Sequence, residues 1–102
     1  AANNGIKDAQ SKPEGKASDY GYNDGTPAAN AYNQAKANFD AGVNGKDKLA
    51  NGSSADTKGT AYQAGAAANN GIKDAQSKPE GKASDYGYND GTPAANAYNQ
   101  AK

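Results

Sequence analysis

An all-α fold is predicted, built from tandem αα-hairpin repeats of 66 residues that form an elongated solenoid or serial helical stalk packed through Ala, Gly and Tyr. Three observations predict it. The first 36 residues, Ala1 to Lys36, return letter for letter as Ala67 to Lys102, and a fixed period of this kind is the mark of a repeat array. Two segments, one after Thr26-Pro27 and one around Ala61, carry apolar residues at alternating spacings of four and three, the stripe of a helix buried on one face. Alternation at period two is confined to Tyr20 and Tyr22 and to their copy, and one such pair per repeat builds no sheet. The chain divides into one full repeat, residues 1–66, and a partial second repeat, residues 67–102.

The elements follow in order. Lys12-Pro13-Glu14-Gly15 reads as a turn or helix stop, because Pro biases Lys12 toward extended geometry and Gly15 relaxes the chain. Residues 18–25, with Tyr20 and Tyr22 ahead of Asn23-Asp24-Gly25, read as a structured loop. Thr26 is a good N-cap and Pro27 occupies the first helical position, where a missing N–H costs nothing. From there Ala28, Tyr32, Ala35, Phe39 and Gly42, with Val43 beside the last, lie on one face, and Asn44-Gly45 supplies a left-handed stop. The first helix is therefore placed at 27–44.

Residues 46–52 are polar apart from Leu49, which is expected to tuck against the helices. Ser53, with Asp56 three residues on, has the form of a capping start, and Thr60 is a second candidate cap. Ala61, Gly65, Ala68, Ile72 and Ala75 form the next stripe, so a second helix is placed at about 57–77, stopping at Lys78-Pro79. Asn69-Asn70-Gly71 weakens it, leaving a break or kink there as the alternative. The two helices resemble each other: Ala31-Tyr32 corresponds to Ala61-Tyr62, and Gly42-Val43 to Gly71-Ile72. The repeat thus reads as two diverged half-repeats, each a helix and a loop.

Composition limits how such helices pack. The chain has 23 Ala and seven Tyr but only five residues that are Leu, Ile, Val or Phe, well under the level at which disorder becomes the expectation. Zero net charge opposes that expectation. A thick core is excluded, so the packing residues are taken as Tyr32, Ala35, Phe39 and Val43 on the first helix and Tyr62, Ala68 and Ile72 on the second. At about 25 cal/mol per Å² of buried apolar surface, so few large side chains leave one repeat marginal. Neighbouring repeats of the same chain are therefore the expected partners.

Eleven Lys balance eleven acidic residues and Arg is absent, which offers no basic stripe for nucleic acid. No apolar run is long enough for a membrane span, and any export or anchoring signal is expected outside these residues. The chain has neither Cys nor His, so acid-base or nucleophilic work would fall to Ser, Lys, Asp or Tyr, and no constellation activates any of them. No enzyme activity and no cofactor are expected. Asp19, Asn23, Asp24 and Gly25 invite a calcium loop, but with Gly25 as its sixth position Tyr20 would have to be the first ligand. A Lys-Asn amide cross-link needs burial that this composition does not supply. Tyr20 and Tyr22, with their copies Tyr86 and Tyr88, are the candidate ligand contacts, since ring faces on a loop can stack on sugars.

The helix openings Ala31-Tyr32-Asn33-Gln34-Ala35 and Ala61-Tyr62-Gln63-Ala64-Gly65, the loop Gly21-Tyr22-Asn23-Asp24-Gly25 and the segment Gly71-Ile72-Lys73-Asp74-Ala75 together resemble a known class. They are similar to the Tyr- and Gly-punctuated tandem repeats in stalks of cell-wall-anchored surface proteins of Gram-positive bacteria, especially lactobacilli. The resemblance implies an extracellular, wall-attached adhesin or fibril protein whose repeats hold a terminal binding domain away from the cell. It implies a structural spacer first. The alternative is a multivalent adhesive module binding glycan or matrix protein weakly through the loop Tyr residues.

Overall fold

The structure is a computed structural model that describes all 102 residues. It is all-helical: α1 spans Ala2–Ser11, α2 Pro27–Asn44, α3 Thr60–Ser77 and α4 Pro93–Ala101. A single 3₁₀ turn precedes α2 (Ala17–Tyr20) and another precedes α4 (Ala83–Tyr86). Each helix packs chiefly on the next one in sequence, and α1 also touches α3 and α4 lightly. The radius of gyration, 13.6 Å, is close to the ~13 Å of a compact chain of this length. Over these residues the protein is a four-helix globule.

The boundaries of α2 follow from local chemistry. Thr26 is extended and its hydroxyl accepts a bond from the Ala29 N–H at 3.2 Å, Pro27 opens the helix, and Gly45 closes it at φ 66°. A left-handed residue at that point returns the last N–H groups to carbonyls of the final turn, and Gly adopts it without a Cβ penalty. α3 begins at Thr60, three residues after the expected start, with Gly59 at the cap position and no side-chain cap. Ser53 cannot cap it because its hydroxyl donates to Asn51 Oδ1 at 2.6 Å, inside a loop closed by one antiparallel bridge between Lys48 and Ser54. Thr60 is itself the first helical residue. α3 runs unbroken through Asn69-Asn70-Gly71 to Ser77.

Gly71 is tolerated there because packing requires it. A Cβ at Gly71 would overlap the Tyr98 carbonyl of α4, as one at Gly5 would overlap the Tyr32 carbonyl of α2. Between α2 and α3 the device is reciprocal: Gly42 lies against the Tyr62 carbonyl, and Gly65 against the Phe39 carbonyl. The helices thus approach backbone to backbone, which lets Ala fill the interface and makes a thin core sufficient. The equivalence of Tyr32 with Tyr62 and of Gly42 with Gly71 has a physical meaning. A late Gly of one helix receives the carbonyl of an early Tyr of the next.

The apolar centre is correspondingly small. Ile6, Ala35, Phe39, Ala64, Ala67 and Ala68 form its middle, and Tyr32 and Tyr98 are the largest fully buried side chains. Val43 and Tyr62 lie half-buried at its margin. Ile72, expected to pack, is instead 43% exposed, whereas its copy Ile6 is 6% exposed. Ile6 is bordered by the start of α3 and by α4, and no helix stands in the equivalent places beside Ile72.

Candidate functional site

The segment between α1 and α2 concentrates the polar chemistry of the molecule. α1 ends at Lys12, whose N–H reaches the Asp8 carbonyl, and Pro13-Glu14-Gly15 turns the chain through a 2.8 Å bond from the Gly15 N–H to the Lys12 carbonyl. The 3₁₀ turn follows, held by the Lys16 N–H on Asp19 Oδ2 at 3.0 Å and ended by Gly21 at φ 79°. This folding aims three tyrosines back at α1.

Asp8 is the focus. It is 5% exposed, its Oδ2 accepts the Tyr32 hydroxyl at 2.5 Å, and its Oδ1 accepts the Tyr20 hydroxyl at 2.9 Å. One turn earlier, Asn4 Nδ2 donates to the Tyr22 hydroxyl at 3.0 Å. The rings of Tyr20 and Tyr22 stack with centroids 5.7 Å apart, and both lean on Tyr32 at 5.6 and 6.4 Å. Such offset and tilted pairs add about 0.5–1.5 kcal/mol beyond their buried area. Gly15 closes the cluster, since a Cβ there would meet Asp8 Oδ2 and the Tyr32 hydroxyl.

Lys36 completes the arrangement. Its Nζ donates to the Pro13 and Gly15 carbonyls at 2.8 and 2.6 Å and lies 5.6 Å from the centre of the Tyr32 ring. A cation placed there binds the turn to α2 and shields the orphan carbonyls after α1.

The electrostatics follow from these contacts. The Tyr32 hydroxyl bond, followed by the Tyr20 bond and the charges of Lys12 and Lys36, holds the Asp8 carboxyl below the usual carboxylate range, against the opposing effect of burial. Burial first, and then the bond to Asp8, pushes the Tyr32 phenol above its ordinary range. The bond to Asp8 is the largest cause of the same upward shift at Tyr20. Across neutral pH the carboxylate is ionised and both phenols keep their protons, so charge-assisted bonds persist.

The second copy repeats the geometry. Asp74 accepts Tyr98 at 2.5 Å and Tyr86 at 3.0 and 3.2 Å, and Asn70 donates to Tyr88 at 2.9 Å. Lys102 reaches the Pro79 and Gly81 carbonyls. The tyrosine rings repeat their spacings of 5.5, 5.6 and 6.3 Å. Asp74 is held low by the same bonds, led by that of Tyr98.

Of the candidate ligand contacts, Tyr20 and Tyr86 are each 42% exposed, while Tyr22 and Tyr88 are half-buried. All four turn their hydroxyls inward, leaving ring surface and no free phenol toward solvent. Asp8, Asn4, Gly15 and Lys36 join Tyr20, Tyr22 and Tyr32 without having been singled out by sequence. One signal pointed to them: three tyrosines in a region of thin packing need hydroxyl partners, and Asn4 and Asp8 share a helix face at a spacing of four. Both carboxylate oxygens of Asp8 are occupied, so the cluster ties α1, the turn, the 3₁₀ segment and α2 into one body. No group of three or more His, Cys, Asp or Glu side chains is placed to hold a metal ion, and no helix is long and apolar enough to cross a membrane. No family model, curated protein or solved structure matches the chain.

Proposed function

We propose that the chain is a non-enzymatic structural spacer, a repeat of a bacterial cell-surface stalk that sits outside the cell, anchored to the wall, and projects a binding domain from it. The observation that carries this reading is the duplication of the tyrosine–aspartate staple. Each copy closes its own bonds within 36 residues, and the hydrogen bonds of Asn4 and Asp8 with the tyrosines differ from those of the second copy by about a tenth of an ångström. A unit that carries its own conformational determinants can be repeated without redesign, and stacked helical units give length in proportion to number. Serial αα units in an elongated array are the form this function takes. Small-angle scattering on chains of two, four and six repeats tests it: the maximum dimension is expected to grow linearly with repeat number, and a length-independent compact particle refutes the reading.

A second reading has one observation in its favour. The Tyr20 and Tyr86 rings are 42% exposed and fixed in orientation by their bonds to Asp8 and Asp74, as a weak, repeated contact for glycan or matrix protein would need. Binding to a glycan array or to immobilised matrix protein that disappears on combining Tyr20→Ala with Tyr86→Ala would favour it; binding unchanged by that pair would dismiss it.

A further inference from the structure

The two copies of the 36-residue segment are identical in sequence and closely alike in staple geometry, so a large difference in exposure between them reports on what surrounds them. The largest such difference at an apolar side chain bigger than Ala is between Ile6, 6% exposed, and Ile72, 43% exposed. Ile6 borders a groove walled by Ala31, Gln34 and Ala35 of α2 and by Gly59 and Tyr62 at the start of α3. Ile72 borders the equivalent wall of α4, made of Ala97, Gln100 and Ala101, in a groove of about 290 Å³ that also receives Phe39 and Val43.

The register that would let a further helix cover Ile72 is already set. Gly71 meets the Tyr98 carbonyl and Ala101 just as Gly5 meets the Tyr32 carbonyl and Ala35. α2 goes on from Ala35 through Phe39 to Gly42, and Gly42 is the residue on which the Tyr62 carbonyl of α3 rests. The α2–α3 contact is therefore the template for what completes the α3–α4 face.

We propose that the face formed by Ile72 and residues 97–101 of α4 is the docking surface for further sequence of the same 66-residue repeat, received through the segments equivalent to the start of α3 and to α4. The occupant is identified by continuity: in the first copy the same face, around Ile6, is bordered by the start of α3 and by Pro93, Asn96 and Gln100 of α4. The proposal rests on the spacer reading in taking the repeat as the functional unit, and it names the surface on which repeats meet.

Thiol labelling tests it, because the chain contains no Cys and a single introduced thiol reports on one position. Ile72→Cys is compared in this chain and in a chain one 66-residue unit longer, with circular dichroism confirming that both are helical. Labelling by an aryl disulfide is expected to be about ten-fold slower or more in the longer chain, while Ile6→Cys is slow in both, as burial controls reagent access. Equal Ile72→Cys rates at the two lengths overturn the proposal. Protection that appears in the shorter chain only as its concentration rises overturns the tandem occupant in favour of association between separate chains. A second variant guards against misfolding: Ile72→Lys is expected to lower the melting midpoint of the longer chain and leave that of the shorter one unchanged, and equal shifts refute docking. Failure of linear growth in scattering would reject the stalk while leaving slow labelling intact, so the two ideas fail separately.

Discussion

The α1–α2 and α2–α3 contacts share one backbone device and differ in everything around it. At α1–α2 a single glycine, Gly5, lies on the Tyr32 carbonyl, and the rest is a polar staple of Asp8, Asn4, three tyrosines and Lys36. At α2–α3 two glycines, Gly42 and Gly65, interlock with the Tyr62 and Phe39 carbonyls. The loop between those helices is held by its own backbone bonds and by the Asp56 N–H on Asn38 Oδ1 at 2.8 Å. A chain poor in large apolar residues thus fixes helix positions in two ways. One depends on satisfied polar groups and the other on the absence of side chains, so one responds to protons and the other to volume.

Volume is expected to have the largest effect. Gly65→Val places atoms where the Phe39 carbonyl and the Val43 N–H stand, and backbone cannot move aside as a flexible side chain can. A loss of about 3 kcal/mol or more is expected from such overpacking, enough to abolish cooperative melting in a marginal domain. Circular dichroism melts of Gly65→Val and Gly5→Val measure how the doubled and single contacts differ. A Gly65→Val melt like that of the parent would refute the interlocked backbone.

Removing the polar staple comes next. Asp8→Ala leaves the buried Tyr32 hydroxyl without its partner, at an expected cost of about 1–3 kcal/mol. Tyr32→Phe removes the same bond from the other side and should cost less, since the Tyr20 hydroxyl still reaches the carboxylate. Urea titration of both variants checks the order, and Asp8→Ala melting like the parent would dismiss the staple as a stabilising element.

Protonation separates the two contacts without mutation. Asp8 and Asp74 have folded-state pKa values below their unfolded ones. The stability they contribute is present above about pH 4, the unfolded carboxylate range, and is lost as pH falls through the folded value. Tyr32 and Tyr98 are shifted upward. Their contribution is complete below about pH 10 and is lost as pH rises through the folded value. Melting midpoints should fall at both extremes, and the acid limb should flatten in the combined Asp8→Asn, Asp74→Asn variant. An unchanged acid limb would show that other carboxylates dominate.

The smallest effect is expected at the rim of the staple. Asn4→Ala removes one bond to the half-buried Tyr22 hydroxyl, worth roughly 0.5–1 kcal/mol. Hydrogen exchange of the Tyr22 amide, which bonds the Ala17 carbonyl at 3.2 Å, should quicken while that of α3 stays as it was. Faster exchange in α3 would mean that the two contacts are not separable.

What could be read in advance depended on how far apart the interacting residues lie in the chain. Thr26, Pro27 and Gly45 act within one turn of themselves, and α2 was legible to the residue. The start of α3 was not, because the Ser53 hydroxyl turns to Asn51 and the helix opens after Gly59 with no capping side chain. The tyrosines were visible as a group, but Asp8 lies 12 and 24 residues from the two that bind it. No periodicity encodes such a separation. Gly42 and Gly65 appeared as members of a stripe, yet that each faces a carbonyl emerges only when two helices are brought together. Ile72 belonged to the same stripe, and its exposure reflects the absence beside it of helices placed as α3 and α4 are beside Ile6.

The staple has a mechanical consequence. The bond from Tyr32 to Asp8 bridges 24 residues, so while it holds, a pull on the two ends of α1 and α2 is borne by the hydrogen bonds and not by the loop. When it opens and the intervening elements unravel, the 24 residues from Asp8 to Tyr32 have an extended contour of roughly 80 Å at about 3.4 Å per residue. The bonds can re-form from the same residues once tension is relieved, because every partner belongs to one copy. On the proposed spacer reading, a series of such copies would be a row of separate force buffers, each yielding its own increment of length.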